Sequence, residues 1–130
     1  PFEQLLNAEA TRLVVISPDH SIEEFTAVIE RLGLHEVSYS VGWTAWLDIA
    51  PDGVNKGTAL ERVRRELGIP MERVVVAGDG RNDIEMLQWA ANGGTAIAMG
   101  DAPQEVIDAG NVLAPDFAHD GLGVALSKLS

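Results

Sequence analysis

The chain has 130 residues with a formal net charge of -11, and its 20 acidic residues outnumber 9 basic ones, which argues against a surface that tracks a nucleic-acid backbone. Hydrophobic residues make up 46% of the sequence, but no apolar run approaches the roughly 20 residues needed to cross a membrane. There is no cysteine, so disulfides and thiolate metal sites are excluded, and we expect a soluble cytoplasmic protein.

The first fifty residues predict a small α+β segment. Ser21, with Glu24 three residues later, forms a capping-box pattern that opens a helix. Two apolar stretches flank Gly42-Trp43-Thr44 and are typical of a hairpin. The predicted elements are strands at 13–16, 37–41 and 45–49 and a helix at 22–32.

After a turn at residues 51–53, helix and strand patterns alternate strictly. Such alternation is typical of a parallel sheet with right-handed crossovers. We therefore predict two domains, with residues 1–50 before the alternation and residues 51–130 forming a three-layer half-domain. The predicted elements are helices at about 55–67, 82–91, 103–109 and 121–129 and strands at 74–77, 95–98 and 111–113.

Clustered polar side chains follow the second domain's first strand. The segment reads Val-Val-Val-Ala-Gly-Asp-Gly-Arg-Asn-Asp and places Asp79, Asn82 and Asp83 at the strand's carboxyl end, where α/β sheets bind ligands. Oxygen ligands without imidazole or thiol suit Mg²⁺. The alternative is that Asp79 and Asp83 serve only as a turn former and a helix cap.

Lys56 opens a predicted helix, although the helix dipole disfavours a cation there. A lysine beside helix-opening N–H groups can neutralise a phosphate, and the alternative is an ordinary exposed lysine. We expect Arg81 to lie close enough to the acids to touch a substrate. The arginines at positions 62, 64 and 65 look like a solvated helix face.

Four ordered motifs carry a family resemblance. They are Lys56-Gly57, Gly-Asp-Gly-Arg-Asn-Asp-Ile-Glu-Met-Leu at 78–87, Ala-Met-Gly-Asp-Ala at 98–102 and Asp-Gly-Leu-Gly at 120–123. Together they resemble the C-terminal half of a haloacid dehalogenase superfamily hydrolase, and the Cof-type sugar-phosphatase branch is the most similar. The resemblance implies an α/β fold, a three-layer Rossmann-like parallel sheet preceded by a partial α+β cap.

The resemblance also implies an activity, a Mg²⁺-dependent phosphohydrolase acting on a small phosphorylated metabolite such as a sugar phosphate. Lys56 matches the catalytic lysine that binds phosphate and steadies a phosphorylated aspartyl intermediate. Asp79 and Asp83 match the metal-holding acids, and Asn82 matches an asparagine that orders the phosphate site. No nucleic acid or membrane partner is expected.

The family's N-terminal Asp-x-Asp nucleophile motif is not found, and the most similar segment has Ser17 at the nucleophile position. Because the chain also starts with Pro1, we expect a fragment that is inactive alone and that forms a homodimer through an exposed sheet edge. Two alternatives stay open. One is a non-catalytic domain that binds Mg²⁺ or phosphate or serves as an interaction scaffold, and the other is catalysis with Asp19 or another acid as a substitute nucleophile.

Overall fold

The computed structural model describes residues 13–19, 21, 23–24, 27–28, 31, 37–41 and 46–129. The chain divides into two compact units, Pro1–Gly53 and Val54–Ser130. The described helices are short, the longest having 11 residues, and none of them has both the length and the apolar character that crossing a lipid bilayer requires.

The first unit contains an antiparallel sheet of three strands, β1 (Leu13–Ile16), β2 (Val37–Val41) and β3 (Trp46–Pro51), in the order β1-β3-β2. The antiparallel β2–β3 pair, in which Tyr39 lies opposite Ile49, confirms the predicted hairpin strands. The residues that connect them, 42–45, lie outside the described residues.

The predicted capping box of the first unit is present. The Ser21 N–H donates to Glu24 Oε2 at 3.1 Å, and the Glu24 N–H donates to Ser21 Oγ at 3.2 Å. Residues 23, 24, 27, 28 and 31 are helical, as predicted. The other residues of the predicted helix, including its end near residue 32, lie outside the described residues.

The second unit alternates helices and strands in the predicted order. Its elements are α1 (Lys56–Glu66), β4 (Val75–Gly78), α2 (Ile84–Ala91), β5 (Thr95–Ala98), α3 (Gln104–Ile107), β6 (Val112–Leu113) and α4 (Gly121–Ser127). The three strands form a parallel sheet in the order β4-β5-β6, which confirms the predicted α/β class.

All four helices of the second unit are shorter than the sequence predicted, and α1 and α4 differ only by one or two residues at their ends. The helix predicted to begin at Asn82 starts with a 3-10 turn, Arg81–Asp83, and is α-helical only from Ile84. Helix α3 has four residues, after which the chain returns to the sheet. It does so at Gly110, where a Cβ would lie 2.9 Å from the carbonyl oxygen of Ala96.

The parallel sheet is covered on both faces, which makes three layers. Small side chains of β5, Ala96 and Ala98, face the buried Leu87 of α2 and Val106 of α3. Ile97 points to the opposite face, where it packs with Ala114 and with Ala125 of α4. Helix α1 packs on α2.

The start of α4 leaves no room for a side chain at Gly121, because a Cβ there would overlap the carbonyl oxygen of Pro115. A Cβ at Gly123 would meet only the carboxylate of Asp120, an exposed residue at φ 51° whose side chain can rotate away.

We therefore expect Gly121→Ala to lower the free energy of unfolding by about 1–3 kcal/mol, because the backbone must shift to relieve the overlap. Gly123→Ala is the matched control and should stay within about 1 kcal/mol of the parent, since alanine is the better helix former. Urea unfolding followed by far-UV circular dichroism measures both. Equal losses in the two variants would contradict this packing.

Candidate active site

The loop that follows the carboxyl end of β4 folds around one buried acid. Asp83 is 5% exposed, and its Oδ2 accepts the backbone N–H groups of Asp79 at 3.2 Å and Gly80 at 3.1 Å. Gly78 leaves the space that this requires, because a Cβ there would lie 2.5 Å from the Asp83 Cβ. Asp83 thus turns back toward Asp79, as the sequence predicted.

Lys56 reaches the same acid from a distant part of the chain. Asn55 caps α1 by accepting the Thr58 N–H at 2.9 Å, and Thr58 Oγ1 accepts the Asn55 N–H at 3.1 Å, so α1 begins at Lys56. The half-exposed Lys56 side chain forms an ion pair with Asp83 Oδ1 through its Nζ. The lysine that the dipole disfavours is therefore matched by a buried carboxylate.

Close contact between α1 and α2 makes this ion pair reachable. Gly57 is buried, and a Cβ at that position would lie 2.9 Å from the carbonyl oxygen of Glu85. The absence of a side chain at Gly57 therefore lets the two helices approach where Lys56 and Asp83 meet.

The other two predicted residues lie in the same loop. Asp79 is exposed, and no hydrogen bond or ion pair joins its carboxylate to another residue of the described part of the chain. Asn82 is partly buried and folds over the loop, since a Cβ at Gly80 would lie 2.8 Å from Asn82 Oδ1. The structure thus brings the loop acids and amide together with Lys56.

The donor set fits a magnesium ion better than a softer metal. Within residues 46–129 and the other described positions, no group of three or more His, Cys, Asp or Glu side chains gathers as a metal site. Mg²⁺ is usually bound through one or two carboxylates, with waters and substrate phosphate completing the shell. The exposed Asp79 carboxylate beside Asp83 offers oxygen ligands of this kind.

Arg81 bridges the loop to a neighbouring helix. Its Nε donates to Glu105 Oε1 of α3 at 2.6 Å, and both side chains are about half exposed. A backbone hydrogen bond at Glu105 and the Arg81 guanidinium lower the pKa of the Glu105 carboxyl. That Arg81 touches a substrate stays a prediction, as does the nucleophile role of Asp19, an exposed turn residue of the first unit.

Sequence reasoning missed the contacts of Glu61. Its carboxylate accepts hydrogen bonds from Arg64 Nε at 2.7 Å and Arg64 Nη2 at 2.9 Å, from Arg65 Nε, and from Trp89 Nε1 at 3.0 Å. Arg64, with help from Arg65 and Trp89, lowers the pKa of Glu61 to about 2. The (i, i+3) and (i, i+4) spacing of the arginines is a signal that could have revealed the ion pairs.

The prediction that the arginines at positions 62, 64 and 65 form a solvated helix face is therefore only partly correct. Arg62 is 83% exposed, but Arg64 is 22% exposed and also donates to the carbonyl oxygen of Ile69 at 2.6 Å. A groove of about 550 Å³ runs between α1 and α2 past Glu61 and Trp89. Lys56, Asp79 and Asp83 do not line this groove.

Comparison with known proteins identifies the family. The sequence model of the haloacid dehalogenase-like hydrolases matches residues 1–126. The chain belongs to this family. A phosphoglycolate phosphatase from Methanoculleus marisnigri is 33% identical over 113 residues, which covers 87% of this chain and 44% of that protein.

Two solved structures match nearly the whole chain. The subclass IIB sugar phosphatase BT4131 matches at 27% identity with a TM-score of 0.81, over 98% of this chain and 46% of that one. TM0651 from Thermotoga maritima matches at 27% identity with a TM-score of 0.72, over 98% of this chain and 47% of that one. The chain thus spans about half the length of these relatives.

We expect Asp83→Ala to lower the free energy of unfolding by about 1–3 kcal/mol, because two loop N–H groups and Lys56 lose their acceptor. Asp79→Ala is the control in the same loop and should change it by less than about 0.5 kcal/mol, since its carboxylate is exposed and unpaired among the described residues. Thermal and urea unfolding measure both. A neutral Asp83→Ala would show that the loop does not depend on this acid.

Proposed function

We propose that this chain is part of a Mg²⁺-dependent, Cof-type phosphohydrolase that acts on a small phosphate ester, such as a sugar phosphate, in the cytoplasm. The observation that carries the proposal is the buried carboxylate of Asp83, which holds both Lys56 and the loop of Asp79 at the carboxyl end of β4. Family membership supports the reaction class, and the absence of cysteine supports the compartment.

Each predicted residue has a role in this proposal. Asp79 and Asp83 hold the metal, and Asp79 is the more available ligand because it is exposed. Lys56 binds the phosphate, neutralises its charge and steadies a phosphorylated aspartyl group. Asn82, folded over Gly80, orders the phosphate side of the loop. A bound Mg²⁺ would neutralise phosphate charge and orient the transferring group.

The reaction also needs a nucleophile, because carboxylates that only hold a metal cannot accept the phosphoryl group. We propose that this carboxylate comes from a segment outside these 130 residues, and that the chain alone binds ligands without turnover. The half-length match to the relatives supports this division. In it, residues 1–50 are part of the cap and residues 51–130 are the C-terminal half of the core.

A second candidate is a non-catalytic domain that binds Mg²⁺ or phosphate. It is favoured by the sequence, because these 130 residues contain no Asp-x-Asp nucleophile motif. Both candidates assign phosphate binding to Lys56 and Mg²⁺ binding to Asp79 and Asp83. They differ in whether joining the chain to a nucleophile-bearing segment produces phosphatase turnover.

The binding part is tested by calorimetry with Mg²⁺ at constant ionic strength, with and without inorganic phosphate. Asp79→Asn should weaken Mg²⁺ binding by about tenfold or more, and Lys56→Met should weaken phosphate binding, because each removes a direct charge partner. Asp108→Asn and Lys128→Met are matched controls that change the same residue types elsewhere. Unchanged binding in the site variants would reject the assigned roles, and turnover of p-nitrophenyl phosphate by the chain alone would reject its inactivity.

We also propose that the chain forms a homodimer through the edge of β4. Among the described residues β4 pairs only with β5, and Val75, which is 46% exposed, and Ala77 leave an uncharged apolar edge. Unprotected edges of this kind pair readily with another strand.

Val75→Lys should therefore shift the chain from dimer to monomer in sedimentation velocity, because a charge on the edge disfavours strand pairing. Leu113→Lys provides the control, since this exposed residue lies on β6, the strand at the opposite edge of the sheet. A monomeric parent chain, or a Val75→Lys variant that still sediments as a dimer, would contradict the proposal.

A further inference from the structure

Helices α1 and α2 touch at two points that are one helical turn apart on each helix. At the first point Gly57 faces the carbonyl oxygen of Glu85, and at the second Glu61 Oε2 accepts the indole N–H of Trp89 at 3.0 Å. Residues four apart lie on the same face of a helix. The two contacts therefore fix one face of α1 against one face of α2.

We propose that Glu61 and Trp89 are positioning residues that hold Lys56 against Asp83. Lys56 is the first residue of α1, and Asp83 directly precedes α2, so the register between the helices determines whether the two side chains meet. The consequence for phosphate binding rests on the proposed function, but the positioning itself does not.

The Glu61 carboxylate can fix the register of α1 on α2 because several hydrogen-bond donors hold it in one orientation. Arg64 binds both of its oxygens and also donates to the carbonyl oxygen of Ile69, which ties Glu61 to the chain that follows α1. Arg65 binds one oxygen as well. These bonds fix the orientation of the Glu61 carboxylate on α1. Its remaining hydrogen bond, to Trp89, is charge-assisted and therefore strong and directional.

Small displacements matter at this site. One residue of an α-helix rises by about 1.5 Å, so a one-residue slip of α1 on α2 would move the Lys56 backbone by that distance. The same slip would drive α1 side chains toward the Glu85 carbonyl, where only Gly57 fits. The Glu61–Trp89 bond and the Gly57 contact thus oppose the same motion.

The sequence provides an internal reference for a test, because it contains two lysines, Lys56 and Lys128. The folded protein is acetylated with an N-hydroxysuccinimide ester at neutral pH, and the rate at each lysine is followed by mass spectrometry. In Trp89→Phe, which keeps a ring but removes the N–H, Lys56 should react about two to five times faster, the factor expected for a weakened half-exposed ion pair. Lys128 should not change.

Two further variants provide a second test and a matched control. Glu61→Gln should raise the Lys56 rate in the same direction, whereas Arg62→Gln is the matched control, because Arg62 lies on the same helix but pairs only with Glu66 among the described residues. The proposal is overturned if the Lys56 rate stays unchanged in both Trp89→Phe and Glu61→Gln, or if Lys128 accelerates equally, which indicates general loosening.

A nuclear magnetic resonance titration of the Trp89 indole N–H tests the bond itself. Because the pKa of Glu61 is lowered from 4.5 to about 2, its contribution to stability is present above about pH 4.5 and lost as the pH falls toward 2. The Trp89 signal, assigned by its loss in Trp89→Phe, should therefore shift near pH 2. The same titration in Glu61→Gln would show that Glu61 does not hold the indole.

These measurements use no ligand, so they separate this inference from the proposed function. If the parent chain binds neither Mg²⁺ nor phosphate while Lys56 labelling responds to Trp89→Phe, the positioning stands and the proposed function fails. If binding occurs but labelling does not respond, the reverse holds. Asp83→Asn should accelerate Lys56 in either case, because it removes the lysine's partner directly.

Discussion

The arrangement of this site depends on the buried carboxylate of Asp83. One oxygen accepts the two N–H groups that shape the loop after β4, and the other binds Lys56 at the start of α1. A buried charge is tolerated only when it is paired and hydrogen-bonded. The same requirement therefore holds the loop closed and keeps a distant helix in place, so the local turn and the packing of two helices share one electrostatic cause.

Glycine and alanine residues at the contact points make this arrangement sterically feasible. Gly78 leaves room for the Asp83 carboxylate beside β4, and Gly57 lets α1 approach the backbone of α2. Alanines at positions 96 and 98 allow α2 to lie close to the sheet. The site is therefore specified as much by small residues at contact points as by the polar side chains that resemble those of the family.

Much of the fold could be predicted from the sequence because its signals are local. Helix and strand periodicity gave the α/β order, the Ser21 capping box is present, and the strand before Asp79 is the strand β4. The contacts of Glu61 with Trp89 and of Arg81 with Glu105 join residues 28 and 24 positions apart, which no local pattern encodes. Likewise the 3-10 turn before α2 follows from the hydrogen bonds of the loop rather than from helix propensity.

The two sets of bonds to Asp83 differ in how much chain they close. Its bonds to the loop N–H groups span three and four residues, whereas its bond to Lys56 spans 27. Closing a short loop costs little chain entropy, and closing a long one costs more and depends on the elements between. The acidic turn is thus nearly self-sufficient, while the lysine joins it only once α1 has docked. The proposed metal-binding half of the site is therefore contained in one short peptide, and the proposed phosphate-binding half depends on tertiary assembly.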